Sequence, residues 1–417
     1  MKRCFRLALL VLLAGTAVAS AYQNPLQEGT AALDSGDLAK AQVKFEEATR
    51  LAPDHAGAWL LLAETYAKQK NSAAALEAAG KAEKLGGADV AILLGLAHFY
   101  TDLQPDAAKA ASLGARYAEL RPQDTTAWRR VAALYLVIGD AGHAIAAGQR
   151  AVAADDSAES HGILAKSYAA RNDWTGVVAE LKRVLQLRPY DEQSYFLLSQ
   201  AYLMQQDFPS AITVLEDGRK TFDKSPQIEL SLGVAYYGAR NFQGAVDQFL
   251  KTMDLEPDLP QPYVFLGKIL EHTGDRLAEV TRRFAAFQAR NPDNPLGYVL
   301  HAKAVVGQLP PGGFPPEAAA AVEMLQKAIA LREDNAEAHY LLGVLLERKE
   351  DYAAAAPHLE RSIALNPKDP APHYRLARVY LRLGRKEDSA EQRRIHEKLS
   401  EEEGAPVGRG TPEQPKK

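Results

Sequence analysis

Residues 45 to 66 read FEEATRLAPDHAGAWLLLAETY. Trp59, Leu62 and Tyr66 follow one another at steps of three and four residues, which places them on one face of a helix. Pro53 cannot continue a helix but can open a turn, so one helix is expected to end before it and another to begin after it. Just upstream, Ala41, Phe45 and Ala48 alternate small and large apolar residues at the same spacing. Small against large lets two antiparallel helices approach closely.

The same order of residue types returns along the chain. Leu164, Leu198, Leu232 and Leu266 are each 34 residues apart, and Tyr168, Tyr202 and Tyr236 each follow a leucine by four. Gly233 and Gly267 keep that step, as do Leu342 and Leu376, while Pro53, Pro122, Pro189 and Pro257 mark it at roughly double spacing. Polar pairs divide each period: Gly36-Asp37, Gly139-Asp140, Asn172-Asp173 and Gly274-Asp275. Such a pair breaks the first helix and offers a side-chain cap to the second. Trp174, Phe208, Phe242 and Tyr352 share the seventeenth place of the period and are expected to staple that turn.

With an aromatic, Leu-Gly, Tyr, Ala, aromatic, Ala and Pro in that order, the chain resembles the tetratricopeptide repeat family. The resemblance covers residues 22 to about 403 in eleven repeats, starting near 22, 56, 88, 125, 158, 192, 226, 260, 295, 336 and 370. The third carries extra residues around Thr101 to Asp106. The ninth is lengthened by a Pro/Gly-rich insertion at 307–316, and the tail 404–417 is expected to be solvated and disordered. In the last repeat Ser389, Arg393 and His396 replace apolar positions, which suits a terminal cap. The resemblance implies an all-α solenoid, a right-handed superhelix of stacked antiparallel helix pairs.

It also implies where partners bind, because the first helix of each repeat lines the concave side. The corresponding positions carry Phe99 and Tyr100 in the third repeat, Phe196, Gln200, Leu203 and Met204 in the sixth, and Leu230, Val234 and Tyr237 in the seventh. Two readings of this apolar stretch stand: an exposed patch that marks a binding site, or side chains buried against neighbouring helices. The ninth position is basic at Lys166, Lys268, Lys303 and Arg378. Arg375, Arg378 and Arg382 share a helix face where guanidinium forks could bind carboxylates, or simply be solvated.

The N-terminal 21 residues, MKRCFRLALLVLLAGTAVASA, combine a basic start, an apolar core and a small-residue end. They read as a secretory signal peptide cleaved after Ala21. Thr16 stands where a lipidated cysteine would have to be. Cleavage would remove Cys4, the only cysteine, and would make the net charge of −4 more negative by three. An acidic chain is not a general nucleic-acid binder, and no later segment is apolar enough to span a membrane.

His161, His339 and His373 fall at the aromatic position held elsewhere by Trp59, Trp128, Tyr195 and Tyr263, where helix packing explains them. No metal-ligand spacing, nucleophile elbow, phosphate loop or dinucleotide fingerprint is present. No enzyme activity, cofactor or metal is therefore expected. The expectation is an exported scaffold of the bacterial cell envelope, periplasmic or secreted, that binds other proteins or extended peptides. The alternative is a component of a polysaccharide-export or pilus-assembly machine.

Overall fold

Ala158–Ala170 and Trp174–Leu187 show what one repeat builds: a 13-residue helix and a 14-residue helix. The turn between them works because Asn172 takes a left-handed backbone, φ 58°. Its amide then reaches Ala169 O at 2.9 Å and the Asp173 amide reaches Tyr168 O at 3.0 Å, satisfying the last carbonyls of the first helix. The Asp173 carboxylate accepts from the Gly176 amide and so caps the second. Asp37, Asn71, Asp106, Asp140, Asn241 and Asp351 cap second helices in the same way.

The computed structural model describes residues 17–404. Most of the expected signal segment, residues 1–16, and the tail 405–417 lie outside the described residues. The chain divides into two compact halves, Met1–Asp207 and Phe208–Lys417. The first holds α1 (Ala17–Ser35), α2 (Leu38–Leu51), α3 (Ala56–Lys68), α4 (Ser72–Gly86), α5 (Val90–His98), α6 (Ala107–Leu120), α7 (Thr125–Val137), α8 (Ala141–Ala154), α9 (Ala158–Ala170), α10 (Trp174–Leu187) and α11 (Glu192–Met204). The second holds α12 (Phe208–Thr221), α13 (Pro226–Gly238), α14 (Phe242–Leu255), α15 (Pro260–Lys268), α16 (Leu277–Arg290), α17 (Pro295–Gln308), α18 (Pro316–Leu331), α19 (Ala336–Arg348), α20 (Tyr352–Leu365), α21 (Pro370–Arg382) and α22 (Lys386–Gly404). No strand occurs among the described residues. Each half is an α-solenoid in which helices stack on their chain neighbours.

Two hydrogen-bonding rules and one packing rule hold the repeats in register. At the fourth place of a repeat the side chain ties down the loop carbonyl six residues earlier: Trp59 Nε1 donates to Pro53 O at 2.9 Å, Trp128 Nε1 to Pro122 O at 3.1 Å, and Tyr263 OH to Pro257 O at 2.7 Å. Packing is thus only part of that position's work; the ring must also carry a donor. His339 stands in the same place, with Nε2 2.9 Å from Glu333 O. At the eleventh place a tyrosine reaches a glutamate of the preceding second helix, as Tyr66 does to Glu46 at 2.7 Å. At the eighth place a glycine receives the large residue of the second helix: a Cβ on Gly29 would lie 2.7 Å from Phe45, and one on Gly233 would lie 2.5 Å from Phe249.

The irregular repeats depart in specific ways. In the third, the extra residues are absorbed by a π-helical turn at Phe99–Leu103, closed by the Gln104 amide on Phe99 O at 3.0 Å. In the eighth, α15 stops at Lys268 and two short 3₁₀ turns follow, so Asp275 does not cap α16 as the sequence pattern implied. In the ninth, Gly312 and Gly313 take φ of 78° and 69°. The Arg348 guanidinium gathers that loop by donating to the carbonyls of Pro310, Gly312 and Gly313. Ser389 is also not on a solvated cap face: it is buried, and its hydroxyl donates to Ala377 O at 2.7 Å.

Candidate functional site

In the N-terminal half, a cleft of about 450 Å³ opens between α9, α10 and α11. Val177, Leu181 and Val184 of α10 are among its apolar lining. One wall is α9, where Ala158, Gly162, Ala165 and Ala169 face the cleft; the other is α11, with Gln193, Leu197, Gln200 and Ala201. The cleft exists because volume is missing. At the fifth place of a repeat the flanking repeats carry Arg129 and Phe196, and at the twelfth Leu136 and Leu203; the fifth repeat carries Gly162 and Ala169.

Charged groups stand around this opening. Lys166, one turn beyond Gly162, is exposed, and among the described residues no carboxylate pairs with it. Arg188 is paired with Glu159, and the Asp191 carboxylate accepts from the Ser194 hydroxyl at 2.5 Å. The α9 wall is braced from behind by His161, whose Nδ1 lies 2.5 Å from Glu180 Oε2 of α10 and whose Nε2 lies 2.6 Å from Asp156 Oδ1. Asp156 also receives Arg183, and those hydrogen bonds, Arg183 first and His161 second, hold its carboxyl well below the usual carboxylate range.

Gly162 is unlike the glycines of the eighth place. A Cβ built on it meets nothing within 4 Å, whereas one on Gly343 would lie 2.6 Å from Leu359. A glycine inside a helix costs roughly 0.5–1 kcal/mol relative to alanine. Close packing accounts for Gly29, Gly233 and Gly343, and it does not account for Gly162.

Of the expected groove residues, Gln200 is exposed and lines the cleft, and Met204, at 59 % exposure, lies one turn further on. Phe196 and Leu203 are half-buried. Phe99 and Tyr100 are a correction: they are buried in the core, edge to face at a centroid distance of 5.0 Å, because the π-helical turn carries them inward. In the C-terminal half Leu230, Val234 and Tyr237 are half-buried against the core around Phe249. The Tyr237 ring lies 5.6 Å from that of Phe265. Lys268 is exposed, its ammonium 5.5 Å from the Phe265 ring centre.

The arginine face is a second correction. Arg375 and Arg378 already bind a carboxylate of this chain: Glu347, itself buried, accepts from Arg375 Nη1 at 3.2 Å and Arg378 Nε at 3.1 Å. Arg382 alone remains exposed without a carboxylate among the described residues. Sequence reasoning missed Gly162 and Ala169 as site residues. The signal was present as small residues at the fifth and twelfth places, where both flanking repeats have large ones.

Comparison with known families concerns the repeats. The model of the tetratricopeptide repeat matches residues 26–90, 196–260, 317–370 and 346–394. The chain belongs to the tetratricopeptide repeat family. Among solved structures, this repeat protein is similar to Naa15/Naa10 bound to HypK-THB, with 14% identity over 91% of this chain and 68% of that one and a TM-score of 0.51. It is also similar to the Cut9-Hcn1 hetero-tetramer of the APC/C, with 12% identity over 92% and 94% and a TM-score of 0.43. Yeast Tom70 matches with 15% identity over 96% and 93% and a TM-score of 0.38. At these identities the likeness concerns the fold of the repeats. No curated protein matches the chain.

No helix among the described residues is long and apolar enough to cross a membrane. No group of three or more His, Cys, Asp or Glu side chains among them is arranged to hold a metal ion.

Proposed function

We propose that this repeat protein is a non-catalytic scaffold of the bacterial cell envelope that holds partner proteins or extended peptides along the first helices of its repeats. The fold supports the coarser part of the reading, since tetratricopeptide repeats serve as protein-interaction scaffolds. The observation that carries it is the open face of α7, α9 and α11. There Val137, the last residue of α7, and Met204, the last of α11, stand at 76 % and 59 % exposure, apolar surface of the kind a soluble chain keeps for contacts.

Site-specific photo-crosslinking tests the reading. A photoreactive residue at Met204 or Val137 of the full chain should give discrete adducts in cells, while the same residue at exposed Val43 on the second helix α2 should not. Equal adducts from all three positions, or none from the first two, would remove the groove as the partner surface. The envelope part rests on the N-terminal sequence and is tested separately. The chain recovered from the periplasm or medium should begin at Tyr22, and an intact Met1 chain confined to the cytoplasm would end that part of the proposal.

A further inference from the structure

We propose that the cleft between α9, α10 and α11 takes one bulky apolar side chain, leucine, methionine or aromatic, from an extended partner segment, with a carboxylate of an adjacent residue set on Lys166. The inference rests on the scaffold reading above and assigns the chemistry of one place within it.

Three observations converge on this occupant. The cleft, at about 450 Å³, lies within the range of ligand sites, roughly 300–1,000 Å³. Its lining is mostly apolar, with Val177, Leu181 and Val184 from α10, and its polar side chains, Gln193, Ser194 and Gln200 among them, stand on the α11 side. Secondly, the vacancy is made by a residue the fold does not need there: Gly162 weakens α9, and no neighbouring atom comes near its missing Cβ. A larger side chain at that place would stabilise the helix and fill the cleft, so the glycine keeps that space open for a side chain from outside.

The third observation is the charge at the lip. Arg188 is paired with Glu159, while Asp191, which accepts from the Ser194 hydroxyl, keeps its negative charge on the α11 side of the cleft. Lys166 is the cation left without a carboxylate there. A partner segment that buries an apolar anchor and presents an aspartate or glutamate on the α9 side of the cleft would pair with Lys166.

The test uses a phage-displayed library of random twelve-residue peptides panned on the full chain, followed by affinity measurement of enriched peptides by fluorescence polarisation. Enriched sequences should share a Leu, Met, Phe, Tyr or Trp with an Asp or Glu within two residues. Gly162→Leu, which fills the cleft, and Lys166→Glu, which reverses the lip, should each weaken binding at least tenfold. Circular dichroism and the thermal midpoint of Gly162→Leu should show an intact fold; should that variant fail to fold, the exposed Lys166→Glu decides alone. Peptides that bind both variants as well as the parent chain overturn the cleft assignment and leave the wider groove reading standing. Enrichment of basic in place of acidic residues overturns the Lys166 pairing, and a parent chain that enriches no peptide overturns both the cleft and the groove.

Discussion

The Tyr66 hydroxyl donates to Glu46 Oε1 at 2.7 Å across 20 residues of sequence, joining α3 to α2 of the preceding repeat. The same relationship returns between Tyr236 and Glu216 at 3.3 Å and between Tyr380 and Glu360 at 2.7 Å. These three repeats are therefore each pinned to the one before by a charge-assisted bond near the apolar interior. Tyr66→Phe keeps the ring and removes the bond, at a cost of about 1–2 kcal/mol. Amide hydrogen exchange should show α2 and α3 opening roughly five- to thirtyfold more often; exchange limited to the parent rate would show that the bond adds nothing.

Tyr66 and Tyr380, together with Tyr117, whose hydroxyl donates to Asp124 at 2.8 Å, make the fold sensitive to alkali. Burial first, and the hydrogen bond to Glu46, Asp124 or Glu360 second, push Tyr66, Tyr117 and Tyr380 up to about 12 from an ordinary 10. Because the folded state keeps these protons longer, their stabilisation is complete below about pH 10 and is lost as the pH rises through about 12. Thermal midpoints recorded from pH 9 to 12 should fall over that window, in step with phenolate absorbance.

Glycine substitutions should divide by place in the repeat. Gly233→Ala sets a Cβ 2.5 Å from Phe249, an overpacking that costs about 1–3 kcal/mol. Gly162→Ala meets nothing and should stabilise by about 0.5–1 kcal/mol through helix propensity. Urea denaturation of the two variants, with opposite shifts of midpoint, checks both.

Glu229 occupies the fourth place of the seventh repeat, where other repeats put a ring donor, and its buried Oε2 has no hydrogen-bond partner. Burial pushes its carboxyl above the ordinary 4.5, against the pull of Lys251. The raised value means that its favourable contribution is present in acid and is lost as the pH rises through the folded-state value. Glu229→Gln should therefore gain about 1 kcal/mol at neutral pH by removing a buried charge. It should show little advantage at pH 4, a contrast read from denaturation curves at the two pH values.

Glu347 holds Arg375 and Arg378 together, so Glu347→Ala leaves two guanidinium groups facing each other without their carboxylate. A loss of about 2 kcal/mol is expected, in the range of hydrogen bonds to charged groups. The freed arginines should also acquire affinity for acidic peptides that the parent chain lacks. Calorimetry on parent and variant with a poly-glutamate probe would show it.

Much of the fold could be read from single residues. Asp140 and Asp173 announced their caps, Gly36 and Gly139 the breaks between paired helices, and Tyr66 the face it shares with Trp59 and Leu62, because these depend on neighbours within a few residues. The site was less legible. Gln200 and Met204 were found from their places in the repeat, whereas Phe99 and Tyr100 obey the same rule and are buried, since a π-helical turn a few residues long changes which way a side chain points. Arg375 and Arg378 share a helix face as their spacing requires, yet their partner is Glu347, 28 residues before Arg375 and on another helix.

What the amino-acid sequence determined by itself was the repeat: period, paired helices, caps and the order of small and large residues, all set by interactions along one helix or across one turn. What only the tertiary structure decided was which members of the repeated surface are open. Exposure belongs to no single residue: it depends on the volume that neighbouring repeats supply. A glycine at 162 and an alanine at 169 become a cleft only because α10 and α11 leave the space beside them empty.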